Sequence, residues 1–222
     1  MELSIDTSTN ITGVALSREG EVIYELNWRT NFNHTVELAE RTRELLRLAG
    51  AEIRDIKAVI VAKGPGSFSG LRVGMGFAKG ISLSLNIPIV GIGTLDVQAF
   101  PFFELPFKTY SLLDIGRGEV ALSVFEKGVK IVKEHITRIE ELEIDDITLF
   151  CGEADLDKVR ERFGDKAIIP RLKRPRRTGD LAALGWERLR RGERDDISSL
   201  EPLYLRKPSI TKRCREFSFS QV

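Results

Sequence analysis

"LSIDTSTNITGVALSREGEVIYELNW", residues 3–28, carries one pattern through three short runs. An apolar run ends on Asp6, the polar turn "TSTNIT" follows, "GVALS" runs again, "REG" turns tightly at Gly20, and "EVIYELNW" closes the set. Apolar residues alternate at Val14 and Leu16, then at Val22 and Tyr24, which predicts a β-meander. A shift of 108 residues places Asp6 on Asp114 and Gly20 on Gly128 without a gap. There the chain reads "SLLDIGRGEVALSVFEKGVKIVKEHI", residues 111–136, again strand, Asp, polar turn, strand, tight turn, strand. A looser match follows: "IKAVIVAKG" (56–64) and "ITLFCGE" (147–153) both read as buried strands running into glycine. Before the first of these, "HTVELAERTRELLRLAG" (34–50) predicts a helix ending at Gly50 as a C-cap requires. The second half has only the short "RIEELEIDD" in that place.

The repeated order predicts an α/β protein built from two ribonuclease-H-like lobes, the architecture of actin, the sugar kinases and the heat-shock ATPases. The expected lobes are residues 1–105 and 106–222, divided within "FPFFELPFKTY" (100–110), with the last helix crossing back to lobe one. In that architecture a nucleotide lies between the lobes. The turn after each first strand faces phosphate, and the strand-end Asp serves metal or water. The candidates are Asp6, Thr7, Ser8 and Thr9 in one turn and Asp114 with Gly116 and Gly118 in the other. The same residue types also favour plain turns, so each turn alone leaves both readings open.

Composition excludes several classes. The chain has 222 residues, 42% hydrophobic and 30% charged, as expected of a globular protein. A formal net charge of +1 gives no global pull toward nucleic acid or membrane. No apolar run approaches the ~18 residues of a membrane span. "MELSIDTSTN" has no basic region or cleavage pattern of a signal peptide. Two cysteines, Cys151 and Cys214, are too few for a disulfide scaffold. The expected location is cytoplasmic.

"AKGPGSFSGLRVGMGFAKG", residues 62–80, places glycines in a turn and then inside a predicted helix, where each costs roughly 1 kcal/mol against alanine. The backbone amides of the turn at Gly64, Gly66 and Ser67 suit a phosphate nest at a helix N-terminus. Neither G-x-G-x-x-G nor the Walker pattern is present, so a phosphate role is open. From Leu71 to Leu85 apolar residues, Met75 among them, point nearly all round the helix, which predicts burial on more than one side. Gly74, Ala78 and Ser82 form one small-residue stripe, and Gly76 and Gly80 another. With Leu38, Leu45 and Ala49 of the preceding helix, the first stripe predicts half of a four-helix bundle with a second subunit. The competing expectation is that the second lobe covers both helices.

"GPGSFSGLRVGMGFAKGISLSLNIPIVGIGTLD", residues 64–96, resembles the signature block of the TsaB (YeaZ-like) family, G-P-G-S-F-[ST]-G-[LV]-R-x-G. "DTST" with Gly13 matches the family's start. "DIGRGEVALSVF" resembles its D-A-R-x-G-E-V-Y block, with Ile115 and Gly116 for Ala-Arg and Ala121 for Tyr. "PLYLR" (202–206) resembles its C-terminal P-x-Y-L-R. The resemblance spans nearly the whole chain. It implies the partner subunit of bacterial threonylcarbamoyladenosine synthesis, on adenosine 37 of transfer RNAs that read codons beginning with A. The larger catalytic paralogue, TsaD, shares part of the first block but carries its metal on H-x-x-x-H. Here "HTVEL" has His34 and then Leu38, and His135 lies far off in sequence. A metal site normally needs about three protein ligands, so the resemblance implies a non-catalytic chain with no cofactor and no metal. The implied partners are TsaD, the small ATPase TsaE through the complex, and a second copy when the chain is alone.

One stretch is basic: "RLKRPRRTGDLAALGWERLRR", residues 171–191. Arg171, Lys173, Arg174, Arg176 and Arg177 are candidates for contact with transfer RNA phosphates, although such runs are usually solvated loops. The rival readings are a small-molecule or acyl kinase, with only Asp6 or Asp114 placed as base, and a peptidase, for which Ser67 and Ser69 lack any motif tying them to a histidine.

Overall fold

The computed structural model describes residues 1–30, 33–171 and 175–206. Strands β1 (Glu2–Asp6), β2 (Ile11–Arg18) and β3 (Glu21–Arg29) form the first meander. Helix α1 (His34–Leu48) follows, then β4 (Ala58–Gly64), α2 (Phe68–Leu85), β5 (Ile89–Gly93) and α3 (Thr94–Ala99). The second half gives β6 (Lys108–Asp114), β7 (Val120–Glu126), β8 (Val129–Thr137), β9 (Thr148–Glu153), α4 (Leu156–Phe163), β10 (Ala167–Ile168) and α5 (Thr178–Arg190). The first sheet is ordered β3-β2-β1-β4-β5 and the second β8-β7-β6-β9-β10, so the two halves repeat one topology. In each half the meander is antiparallel and the later strands run parallel to the first. Asp6 and Asp114 end the equivalent strands β1 and β6. Where the first half has α1, the second has a single 3-10 turn at Ile139–Glu141.

Alternation along β4 shows how both faces of the first sheet are covered. Val59 and Val61 join Leu3, Ile5, Val14 and Leu16 under α1 and α2, in a core with Leu38, Leu45, Met75 and Ala78. Ile60 and Ala62 point the other way, to Val90, Ile92, Val97 and Leu181 of α5. A Cβ on Gly185 would lie 2.3 Å from Ile60 Cγ2, so α5 rests its backbone on the sheet. Helix α5 comes from the second half of the chain and packs on the first sheet. Helix α3 comes from the first half and packs on the second sheet, Leu95 against Leu113 and Ala121 and Ala99 against Phe125, Leu149 and Cys151. The halves thus exchange a helix. A separate core of Leu112, Leu122, Val124, Phe150 and Val159 fills the second lobe.

Candidate functional site

The C-terminal ends of β1, β4, β6 and β9 converge, as the open α/β architecture dictates, on a cleft of about 520 Å³. Ser8, Thr9, Asn10, Gly66, Ser67, Asp114, Gly116 and Glu153 are among its lining. The two first-strand turns are built alike. Asp6 Oδ1 accepts from Ser8 N at 2.9 Å and Ser8 Oγ at 2.6 Å. Asp114 Oδ1 accepts from Gly116 N at 2.7 Å. The structure therefore brings Ser8, Thr9, Gly66, Ser67 and Asp114 together around one space. Asp6, Thr7 and Gly64 are buried behind it.

Asp6 is bonded to a residue that the sequence placed elsewhere. Arg176 is 5% exposed and comes from the segment leading into α5. With Glu153 it lines a second cavity, of about 480 Å³, and Glu153 also borders the cleft. Its Nε donates to Asp6 Oδ2 at 2.5 Å, and its Nη1 pairs with Glu153. Its Nη2 donates to Thr9 Oγ1 at 3.1 Å and to the Ile11 carbonyl at 3.2 Å. Thr9 Oγ1 also donates to Glu153 Oε2 at 2.8 Å. Burial opposes the charge of Arg176, and the Asp6 and Glu153 carboxylates more than offset it, so its pKa lies above the usual arginine value. Such a residue does not reach RNA phosphates, and the expectation for Arg176 is corrected on that ground. Arg177 is half exposed but pairs with Glu25. Arg171 is exposed. Lys173 and Arg174 lie outside the described residues.

The glycines of the signature block have a packing origin. Ser67 caps α2 by accepting from Gly70 N at 3.3 Å. A Cβ on Gly66 would lie 2.1 Å from the Ser8 carbonyl oxygen, and one on Gly70 2.2 Å from that of Thr7. Ser67 N donates to the same Ser8 oxygen at 2.6 Å, and Thr7 Oγ1 donates to Gly70 O at 2.7 Å. The "DTST" turn thus lies directly on the start of α2 and takes up one donor, Ser67 N, that a phosphate nest would offer.

Gly64, at φ +107°, serves the C-terminal segment. A Cβ there would meet the Leu203 carbonyl oxygen at 2.8 Å, and Leu203 N donates to Lys63 O at 2.6 Å. Beyond it Tyr204 sits against Phe68, with ring centroids 4.9 Å apart. Leu205 packs against the cluster of Leu95, Leu113 and Ala121, and Arg206 pairs with Glu119. "PLYLR" is therefore a strap from the first lobe to the second. The sequence offered its P-x-Y-L-R pattern without any sign of what it bridges.

His34 begins α1 and is buried, its Nδ1 3.2 Å from Thr12 Oγ1. Burial holds its pKa below the ordinary imidazole value, with Glu37 acting weakly the other way. Leu38, one turn on, is in the apolar core. His135 is on β8, its Nδ1 3.0 Å from the Lys133 carbonyl. Among the described residues no group of three or more His, Cys, Asp or Glu is arranged to hold a metal. Cys151 is buried and its thiol is pushed up to about 12, which makes it unreactive.

The expected partner surface needs correction. Leu38, Leu45, Leu71, Gly74, Met75, Ala78 and Ser82 are all buried within the chain. Ala49 is half-buried against the same core. Gly74 carries the reason: a Cβ there would lie 2.1 Å from Thr7 Oγ1, so this stripe faces the lobe's own sheet. The second stripe is the outward one. Gly76 and Gly80 have nothing within 4 Å of a Cβ, and Leu83 beside them is 64% exposed. Val73, Phe77 and Ile81 are half-buried on the same helix, and on α1 Val36 is 53% exposed.

Two lobes of one topology, exchanging a helix around a cleft, define a member of the actin and sugar-kinase class. The solved structure of YeaZ from Pseudomonas aeruginosa superposes with a TM-score of 0.79, over 92% of this chain and 99% of that one, at 23% identity. The family model described as TsaD, tRNA N6-adenosine threonylcarbamoyltransferase, matches residues 29–162. The tRNA threonylcarbamoyladenosine biosynthesis protein TsaB of Bacillus subtilis is 30% identical over 217 residues, 92% of this chain and 93% of its own length. The TsaB of Escherichia coli is 37% identical over 99 residues, 44% of this chain and 42% of its own length. The chain belongs to the TsaB (YeaZ-like) family.

Proposed function

We propose that this chain is the partner subunit in threonylcarbamoylation of adenosine 37 of transfer RNA, and that it holds the catalytic paralogue TsaD rather than performing the transfer. The match to a protein named for threonylcarbamoyladenosine biosynthesis, over 92% of this chain and 93% of that one, carries this reading. Three features support it. Leu38 stands in the core where a metal-bearing relative would place its second histidine. The strand-end carboxylate of Asp6 is engaged by Arg176. Helix α2 offers an apolar outer face with an open small-residue stripe at Gly76 and Gly80, the kind of surface that lets a helix from another subunit approach closely. TsaD takes this face in the complex, and a second copy takes it when the chain is alone. The small ATPase TsaE joins through the complex, and Arg171 contributes to a transfer-RNA path. No described helix is long and apolar enough to cross a membrane, and the proposed location is the cytoplasm. The acyl-kinase alternative lacks a free strand-end base at Asp6.

Co-purification with TsaD, followed by a transfer-RNA modification assay in the reconstituted system, tests the reading. Modification is expected only with both chains present. Modification by this chain without TsaD, or phosphoryl transfer at ordinary rates of ~1 s⁻¹ or above, overturns it.

A further inference from the structure

Nucleotide-dependent proteins of this architecture imply a divalent metal and phosphates in the cleft, and the residues here do not fit them. The oxygens that would face such a group are already directed at one side chain. Both Asp6 carboxylate oxygens, Glu153 Oε1, Thr9 Oγ1 and the Ile11 carbonyl all lie against the Arg176 guanidinium. In the glycine block, Ser67 N is bonded to the Ser8 carbonyl and Gly70 N to Ser67 Oγ.

We propose that Arg176 is a resident cation at the wall of the cleft, held by Asp6, Thr9 and Glu153. Its guanidinium holds the place of a hard divalent ion among oxygen ligands and ties the two lobes together while doing so. The chemistry of the cluster supports this. It contains two carboxylates, a hydroxyl and a backbone carbonyl, and no nitrogen or sulfur ligand, the set that suits Ca²⁺ or Mg²⁺ rather than a transition metal. A guanidinium satisfies several such oxygens at once, because its donors are fixed in a plane, and it is desolvated more easily than an ammonium group. The ligands come from both lobes. Asp6 ends β1 of the first sheet and Glu153 ends β9 of the second, while Arg176 leads into α5, the helix that returns to the first sheet. Among the described residues no other cation pairs with Asp6 or Glu153, so removing the guanidinium leaves the buried Asp6 carboxylate and the partly buried Glu153 without a counter-charge among those residues.

The test uses the full chain, calcium chloride as probe, and melting temperature with calorimetric titration as readouts. The Arg176→Ala variant is expected to melt several degrees below the parent. Calcium is expected to raise its melting temperature saturably and to leave the parent unchanged. The double variant Asp6→Asn/Arg176→Ala is expected to lose the calcium response and to recover part of the lost stability. Arg176→Lys, which keeps a charge without the fork, is expected to fall between parent and Arg176→Ala with no calcium response. A folded Arg176→Ala that melts with the parent, or that shows no calcium response, overturns the proposal. If Arg176→Ala does not fold, the parent decides. Saturable binding of calcium or magnesium–ADP to the parent, lost in Asp6→Asn, overturns the proposal, and absence of such binding together with the intermediate Arg176→Lys supports it.

Discussion

Thr7 stands in the space that a side chain at Gly74 would need, its Oγ1 2.1 Å from the position of a Cβ and its hydroxyl already donated to Gly70 O. Thr7 is buried and held by that bond, so it has little room to move. Gly74→Ala is therefore expected to destabilise the fold by about 1–3 kcal/mol, the usual cost of overpacking. For a chain of this size that lowers the melting temperature by roughly 2–12 °C. Gly76→Ala, two residues on and open to solvent, is expected to leave stability unchanged or raise it by about 0.5–1 kcal/mol through helix propensity. Thermal unfolding of the two variants checks the pair. Equal effects would show that position along the helix, and not contact with Thr7, sets the cost.

Association is expected to depend on the outward stripe. Gly80→Trp should fold, as judged by circular dichroism, and should weaken pairing with TsaD or with a second copy. A steric cost of about 1–3 kcal/mol corresponds to roughly tenfold to a hundredfold in affinity. Ala78→Trp should fail to fold, because Ala78 lies in the core between α2 and the sheet. Light scattering against concentration reports the pairing. A folded Gly80→Trp that associates as tightly as the parent places the partner on another surface.

These two helical stripes show where the sequence was legible and where it was not. Periodicity identified α2 and its small residues, and the shift from Asp6 to Asp114 identified a topology that the two sheets repeat. Which stripe faces inward depends on where Thr7 lies, and that is a tertiary contact across 67 positions between Thr7 and Gly74. Arg176 was hidden for a similar reason. In a run of basic residues nothing local distinguishes the one guanidinium that turns inward, since its partners Asp6 and Glu153 are remote in sequence. The Asp6 turn was legible as a candidate site. Its saturation by the chain's own donors was not.

Stability is expected to fall on mild acidification through His34. Burial favours the neutral imidazole, so the folded pKa lies below the ordinary value of about 6.5. Below about pH 6.5 the unfolded chain takes up a proton that the folded chain resists, so stability present above that pH is lost as pH falls toward the folded value. Ordinary carboxylates titrate lower, near 4, which separates the two effects. Denaturant unfolding between pH 7.5 and about 5.5 should show the decline in the parent and a flatter profile in His34→Gln. Identical slopes in both would assign the decline to another group.

The strap is expected to depend on Gly64. At φ +107° an L-residue is strained whatever surrounds it, and here a Cβ would also meet the Leu203 carbonyl oxygen at 2.8 Å and Leu71 Cδ1 at 3.0 Å. Backbone strain of this kind costs about 1–3 kcal/mol, and the collision adds a push on the strap itself. Gly64→Ala should thus weaken the bond from Leu203 N to Lys63 O and speed hydrogen exchange at the Leu203 amide. The Ile60 amide, in the middle of β4, should stay protected. Ending the chain after Leu200 removes the collision with Leu203 but keeps the strain and the contact with Leu71, so Gly64→Ala should cost less in the shortened chain than in the full one. An equal cost in both backgrounds, with the Leu203 amide still protected in the full-length variant, would mean that glycine is required at position 64 for its own backbone alone and not for the strap.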